Sequence, residues 1–178
     1  MQKTLTTLLC CLVLLQSFGQ SQRKVSTYLS AQYNHTLYDY TLGNNPWGVG
    51  LGFQILFNNN TKFKPTMEFT DDTYLQDDKV NRLYPDDSLK GPERVNGMVN
   101  LFAGLSYHPT QELYLSFTAG PSFISGQTLF GIKPSLGFYF SKTQRWTAKV
   151  SYINIFNRTK IVNEDFGSLS IAIGLRLF

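Results

Sequence analysis

Five charged residues, Lys64, Glu68, Lys133, Lys149 and Arg176, are set among short side chains in segments that alternate apolar and polar types. All five fall on the polar phase of that alternation. Four cations around a single carboxylate are the makings of a buried ionic cluster in which Glu68 bridges two or more bases. In a narrow interior such a network locks strand register, and a bare cation pair there would be costly without partners. A proton or ion path is the competing use of the same residues, and the locking role accounts better for a closed interior.

The remaining reactive types offer less. His35 sits in Asn34-His35-Thr36, and His108 immediately precedes Pro109. Ser30 or Asp39 could be grouped with His35 as a nucleophilic triad, yet no spacing in the sequence supports that geometry. Three acidic doublets, Asp71-Asp72, Asp77-Asp78 and Asp86-Asp87, lie in the segment Asp71–Arg94. A hard cation needs six or more converging oxygens, and the segment has no EF-hand spacing, so it reads as a solvated surface loop. Within it, Asp87-Ser88-Leu89 matches a short bacterial O-glycosylation pattern. No catalytic, cofactor-binding or metal-binding residue is assigned.

The elements that must position these residues begin after an N-terminal export segment. Lys3, the apolar run Leu8–Leu15 and the small residues Ser17 and Gly19 form a Sec-type signal peptide over residues 1–19, cleaved before Gln20. Cys10 and Cys11 leave with it, which removes disulfide, zinc and thiol chemistry from the mature chain. The 16 basic and 12 acidic residues give a net charge of +4, falling to +3 without Lys3. These charges are scattered, with no basic run longer than Arg23-Lys24, so nucleic acid is not a partner. The remainder, 20–178, is one domain. Over the whole chain charged residues make up 16% against 15% aromatic, and the mean hydropathy of −0.17 averages two faces of opposite character.

Period-two alternation recurs eight times. It predicts strands over Val25–Tyr38, Gly48–Phe57, Lys62–Thr70, Val95–Tyr107, Leu113–Ile124, Leu129–Phe140, Trp146–Asn154 and Gly167–Phe178. Connections after the second, fourth and sixth are short, those after the first, third and seventh are long, and only the link after the fifth, Ser125–Thr128, is short on the long side. That parity suits periplasmic turns and external loops. Pro65, Pro121 and Pro134 fall inside predicted strands and imply bulges or protruding strand ends. The polar faces carry Gly, Ser, Thr and Asn, which fill a narrow interior better than they cover a solvated surface. Tyr38, Trp47, Phe57, Phe63, Tyr107, Phe140, Trp146, Phe166 and Phe178 lie near strand ends, as interfacial girdles require. The fold class is therefore all-β: an eight-stranded antiparallel up-and-down transmembrane β-barrel.

From Val25 to Phe178 the chain resembles the outer membrane beta-barrel domain family, the small relatives of OmpX and the OmpA membrane domain. The resemblance rests on the strand pattern, the export segment and the closing strand GSLSIAIGLRLF. In that strand Leu169, Ile171, Ile173, Leu175 and Leu177 share one face, and Phe178 is one residue out of phase. Assembly signalling then relies on Leu177, or a bulge precedes Phe178. The resemblance implies outer-membrane residence in a Gram-negative bacterium, contact with lipid and lipopolysaccharide, recognition by the barrel-assembly machinery, and no catalytic residues. A non-enzymatic structural or surface-interaction role follows. A lipid-modifying enzyme and a subunit of an envelope secretion or transport complex are the alternatives. The His-x-Ser-Asn segment of one lipid A deacylase family is missing, because the corresponding stretch reads Tyr152-Ile153-Asn154-Ile155-Phe156-Asn157.

Overall fold

The computed structural model describes residues 24–38, 47–74, 97–124, 126–140, 143–157 and 165–178. They form eight strands: β1 (Val25–Tyr38), β2 (Trp47–Phe57), β3 (Phe63–Tyr74), β4 (Gly97–Tyr107), β5 (Leu113–Ile124), β6 (Gln127–Tyr139), β7 (Trp146–Ile155) and β8 (Phe166–Arg176). Each strand pairs antiparallel with its neighbour in sequence, and β8 pairs with β1 to close the barrel. Closure satisfies every ladder within the protein, the condition for strands to cross hydrocarbon. The export segment 1–19, the doublets Asp77-Asp78 and Asp86-Asp87, and Ser88 lie outside the described residues.

Alternation fixes which face is which. Along β8, Leu169, Ile171 and Ile173 are exposed, while Ser168, Ser170, Ala172 and Gly174 are buried. The same phase runs round the barrel, with Leu51, Phe69, Leu105, Phe117 and Phe130 all exposed. A continuous apolar belt of this extent far exceeds the few hundred Å² that a water-soluble monomer leaves uncovered. Aromatics edge the belt: Phe57, Phe63, Phe140 and Trp146 at the end with the short turns, Tyr38 and Trp47 at the other. Ile173, in the middle of the outward row of β8, is 57% exposed and lies between Ala31 and Ala148.

Several sequence expectations change here. Phe166 is not part of the girdle: it opens β8 in the inward phase and is fully buried against Tyr74, ring centroids 5.4 Å apart. The strand β3 continues past Thr70 to Tyr74, so Asp71 and Asp72 belong to the barrel wall and not to a loop. None of the three prolines produces a register shift. Pro65 pairs with Leu105 beyond the last β2–β3 pair, Leu56 with Thr66. Around Pro121 the β4–β5 ladder skips between Asn100–Ser122 and Ala103–Ala119, then resumes in the same register. Around Pro134 the β6–β7 ladder skips between Ile132–Asn154 and Ser135–Ser151 and likewise resumes. A strand residue directs its N–H to one neighbour only, so a proline interrupts one ladder and leaves the other intact. The one irregularity in the closing ladder lies between Thr36 and Tyr38 of β1. No bulge precedes Phe178, because the Leu177 amide still donates to the Thr27 carbonyl at 2.8 Å.

One glycine makes the turn end possible. Tyr114 lies opposite Gly137 in the β5–β6 ladder, and its ring covers the Gly137 Cα, where any Cβ would collide with it. Gly137→Val is expected to destabilise the barrel by about 1–3 kcal/mol through overpacking. Urea unfolding of the refolded protein in micelles checks this. Unchanged stability would mean that Tyr114 can move aside freely.

Candidate functional site in the barrel interior

The inward side chains form four layers. Nearest the short turns, Tyr28, Leu56, Tyr114 and Tyr139 make an aromatic floor. Tyr114 and Tyr139 have ring centroids 4.9 Å apart, and Tyr28 and Tyr139 are 5.8 Å apart. The Tyr114 hydroxyl hydrogen-bonds the Thr147 hydroxyl at 3.1 Å.

Above this floor lies the ionic layer. The Lys133 Nζ and Lys149 Nζ both donate to Glu68 Oε1, at 2.6 and 2.7 Å. All three side chains are almost fully buried. Glu68 is on β3, whereas Lys149 is on β7, four strands away and across the lumen. The long methylene stems of the lysines span that width and leave the ammonium groups on one oxygen.

The third layer centres on Asp72. Its Oδ1 accepts from Gln32 Nε2 and from Asn34 Nδ2, the latter at 2.7 Å. Its Oδ2 accepts from the Thr70 hydroxyl at 3.2 Å and from Asn100 Nδ2 at 3.3 Å. Gly50 faces this carboxyl, and a Cβ there would meet Asp72 directly. With Asp72 included, the buried middle of the barrel holds two carboxyl groups and two ammonium groups, a formal balance that keeps an enclosed charge network tolerable. The fourth layer, at the loop end, is apolar: Tyr74, Met98, Phe102, Ile124, Ile153, Ile155 and Phe166 pack as one cluster.

Of the five residues singled out in the sequence, the structure brings together Glu68, Lys133 and Lys149. Lys64 and Arg176 also face inward but stand at the turn end, outside the cluster. The Lys64 Nζ reaches Asn58 Oδ1 at 3.3 Å. The Arg176 guanidinium donates to the Ser26 hydroxyl at 2.9 Å and the Phe178 carbonyl at 2.8 Å. Their positions along the strands account for this, since Lys64 lies four residues nearer the turns than Glu68. Asp72 is the residue that sequence reasoning missed. The signal was available: Asp72 continues the inward phase of Thr66, Glu68 and Thr70, and the acidic doublet masked it.

His35 and Ser30 lie on opposite faces of β1, an odd and an even position. Ser30 instead donates to the Gly52 carbonyl at 3.2 Å, and His35 is exposed beside Trp47 and Leu169. The triad considered for them is therefore not assembled, and Asp39 lies outside the described residues. His108 is in the turn after β4, stacked on Tyr114 with centroids 5.5 Å apart. Burial, reinforced by the nearby Lys64 ammonium, holds its imidazole down at about 4. Among the described residues no group of three or more His, Cys, Asp or Glu side chains could hold a metal ion.

A closed eight-stranded sheet with an apolar outer belt and a filled interior is a small transmembrane β-barrel of the outer-membrane type. Its fold is similar to that of Ail, the attachment invasion locus protein of Yersinia pestis, with a TM-score of 0.52, 11% identity, and coverage of 85% of this chain and 97% of that one. The Ail complex with the heparin analogue sucrose octasulfate matches with a TM-score of 0.54 at 13% identity, over 85% of this chain and 97% of that one. Neisserial surface protein A matches with a TM-score of 0.51 at 15% identity, again over 85% and 97%. No protein-family model and no curated protein sequence matches the chain.

Proposed function

We propose that this protein is a closed, non-enzymatic barrel of a Gram-negative outer membrane, with its short turns in the periplasm and its long connections outside. Its role is structural or one of surface contact. The observation that carries this reading is the occupied lumen, packed from the aromatic floor through two polar layers to the apolar cluster around Phe102. An eight-stranded barrel has an interior just wide enough for its own side chains. With that space taken, the surfaces left to meet other molecules are the lipid-facing wall and the connections. The wall meets lipid and lipopolysaccharide, and the outward row ending at Leu177 is the segment offered to the assembly machinery. The complex of Ail with sucrose octasulfate supports a surface-contact role for a barrel of this fold.

Reconstituted into planar lipid bilayers, the protein is expected to give no stable conductance step. Lipid A from cells with and without it should give the same mass spectrum. A steady conductance would overturn the closed interior, and a mass change that depends on the chain would overturn the non-enzymatic role.

A further inference from the structure

The turn end of the barrel carries a second polar site, separate from the sealed middle. A cavity of about 370 Å³ opens there between the β2–β3, β4–β5 and β6–β7 turns. Lys62, Lys64 and His108 line it, together with Asn59, Gln111 and Gln144, of which the Asn59 amide nitrogen donates to the Phe63 carbonyl at 2.7 Å and that of Gln144 to the Gln111 carbonyl at 2.8 Å. Apart from Lys64 these residues belong to the turns, and none belongs to the lipid-facing belt, so the cavity faces water rather than hydrocarbon.

Its electrostatics are predominantly positive. Among the described residues at this end, Lys24, Lys62, Lys64, Arg145 and Arg176 stand against Glu112 alone. Arg176 is engaged by Ser26 and Phe178, whereas among the described residues Lys64 has a single neutral acceptor, Asn58, at 3.3 Å. Both ring nitrogens of His108 are buried without a hydrogen-bond partner among the described residues. Cationic groups gathered around an open cavity match an oxyanion, whose charge-assisted hydrogen bonds are about twice as strong as neutral ones.

We propose that this cavity binds an oxyanion, a phosphate or carboxylate group presented from the periplasm, with Lys64 and Lys62 as its charged contacts. His108, stacked beneath on Tyr114 and Tyr139, is the buried group nearest the ligand and reports on it. The periplasmic source rests on the orientation proposed above. The binding measurement does not use that orientation, so its failure would leave the membrane reading untouched.

The test uses the complete barrel refolded in uncharged micelles, with His108 followed by NMR during titration with inorganic phosphate and, separately, succinate. Either anion should shift the His108 ring resonances saturably and raise its titration midpoint from about 4. Lys64→Gln, and independently the exposed turn variant Lys62→Gln, should weaken binding roughly tenfold. A parallel titration in phosphatidylcholine nanodiscs with and without phosphatidylglycerol identifies the source. A Lys64-dependent shift only with phosphatidylglycerol would mean that a lipid headgroup supplies the phosphate. No shift in any arm, or a shift unchanged by both lysine substitutions, would overturn the proposal.

Discussion

Replacing Glu68 with Gln is expected to lower the unfolding free energy of the barrel by about 3–5 kcal/mol, because it removes one partner of a buried ionic group and strands the others. Lys133 and Lys149 both bond Glu68 Oε1, at 2.6 and 2.7 Å. No other carboxylate makes an ion pair with either lysine among the described residues. A neutral amide can accept only weakly from two ammonium groups, and each lysine is buried too deeply for its charge to be solvated. The control is the quadruple variant Glu68→Gln, Asp72→Asn, Lys133→Met, Lys149→Met, in which neutral side chains of similar length replace all four buried charges. It should recover most of the lost stability, since well-packed apolar replacements of buried ion networks are often neutral or stabilising. Urea titration of both variants in the same vesicles decides the matter. A single variant as stable as the parent would show that the ionic layer is not a structural staple.

The second large effect concerns the outer wall. Ile173→Arg should cost about 2–4 kcal/mol, the penalty for a cation on the lipid face near the bilayer midplane. Ser170→Thr, on the lumen face three residues away, should change stability little. Ile173 is flanked by Ala31 and Ala148 and is the most exposed apolar side chain of β8. Arginine there has no interfacial water within easy reach of its guanidinium. Equal tolerance of the two substitutions, measured by unfolding from vesicles, would undo the assignment of faces.

Both predictions come from a pattern legible in the sequence, but to different depths. The inward and outward faces followed from alternation alone, because a strand has only two faces and the small residues Ser168, Ser170 and Gly174 cannot cover a lipid-facing wall. The eight strands followed from the same alternation, and the lengths of their connections sorted the two ends of the barrel. The partners of Glu68 did not, since any inward base was a candidate and register decides which head groups share a height. Lys64 and Arg176 have the right phase and the wrong level. Asp72 was lost because consecutive aspartates suggest a loop, whereas in a barrel wall one can face outward and its neighbour inward. Phe166 was misplaced for a similar reason: an aromatic at a strand end can belong to the girdle or to the interior, and only its phase distinguishes them. The prolines looked like breaks because composition does not reveal which neighbour a missing N–H would have served.

The span from Glu68 to Lys133 and Lys149, 65 and 81 residues along the chain, bears on time as well as on energy. Those bonds cross the lumen, so they form only when the wall is nearly complete and β6 and β7 face β3. Contacts absent from a folding transition state act on the rate of escape from the native state. The Glu68→Gln penalty should therefore emerge as faster unfolding with an almost unchanged folding rate. The ionic layer sets how long a finished barrel lasts, a quantity that matters for a protein not readily rebuilt once it is in its membrane.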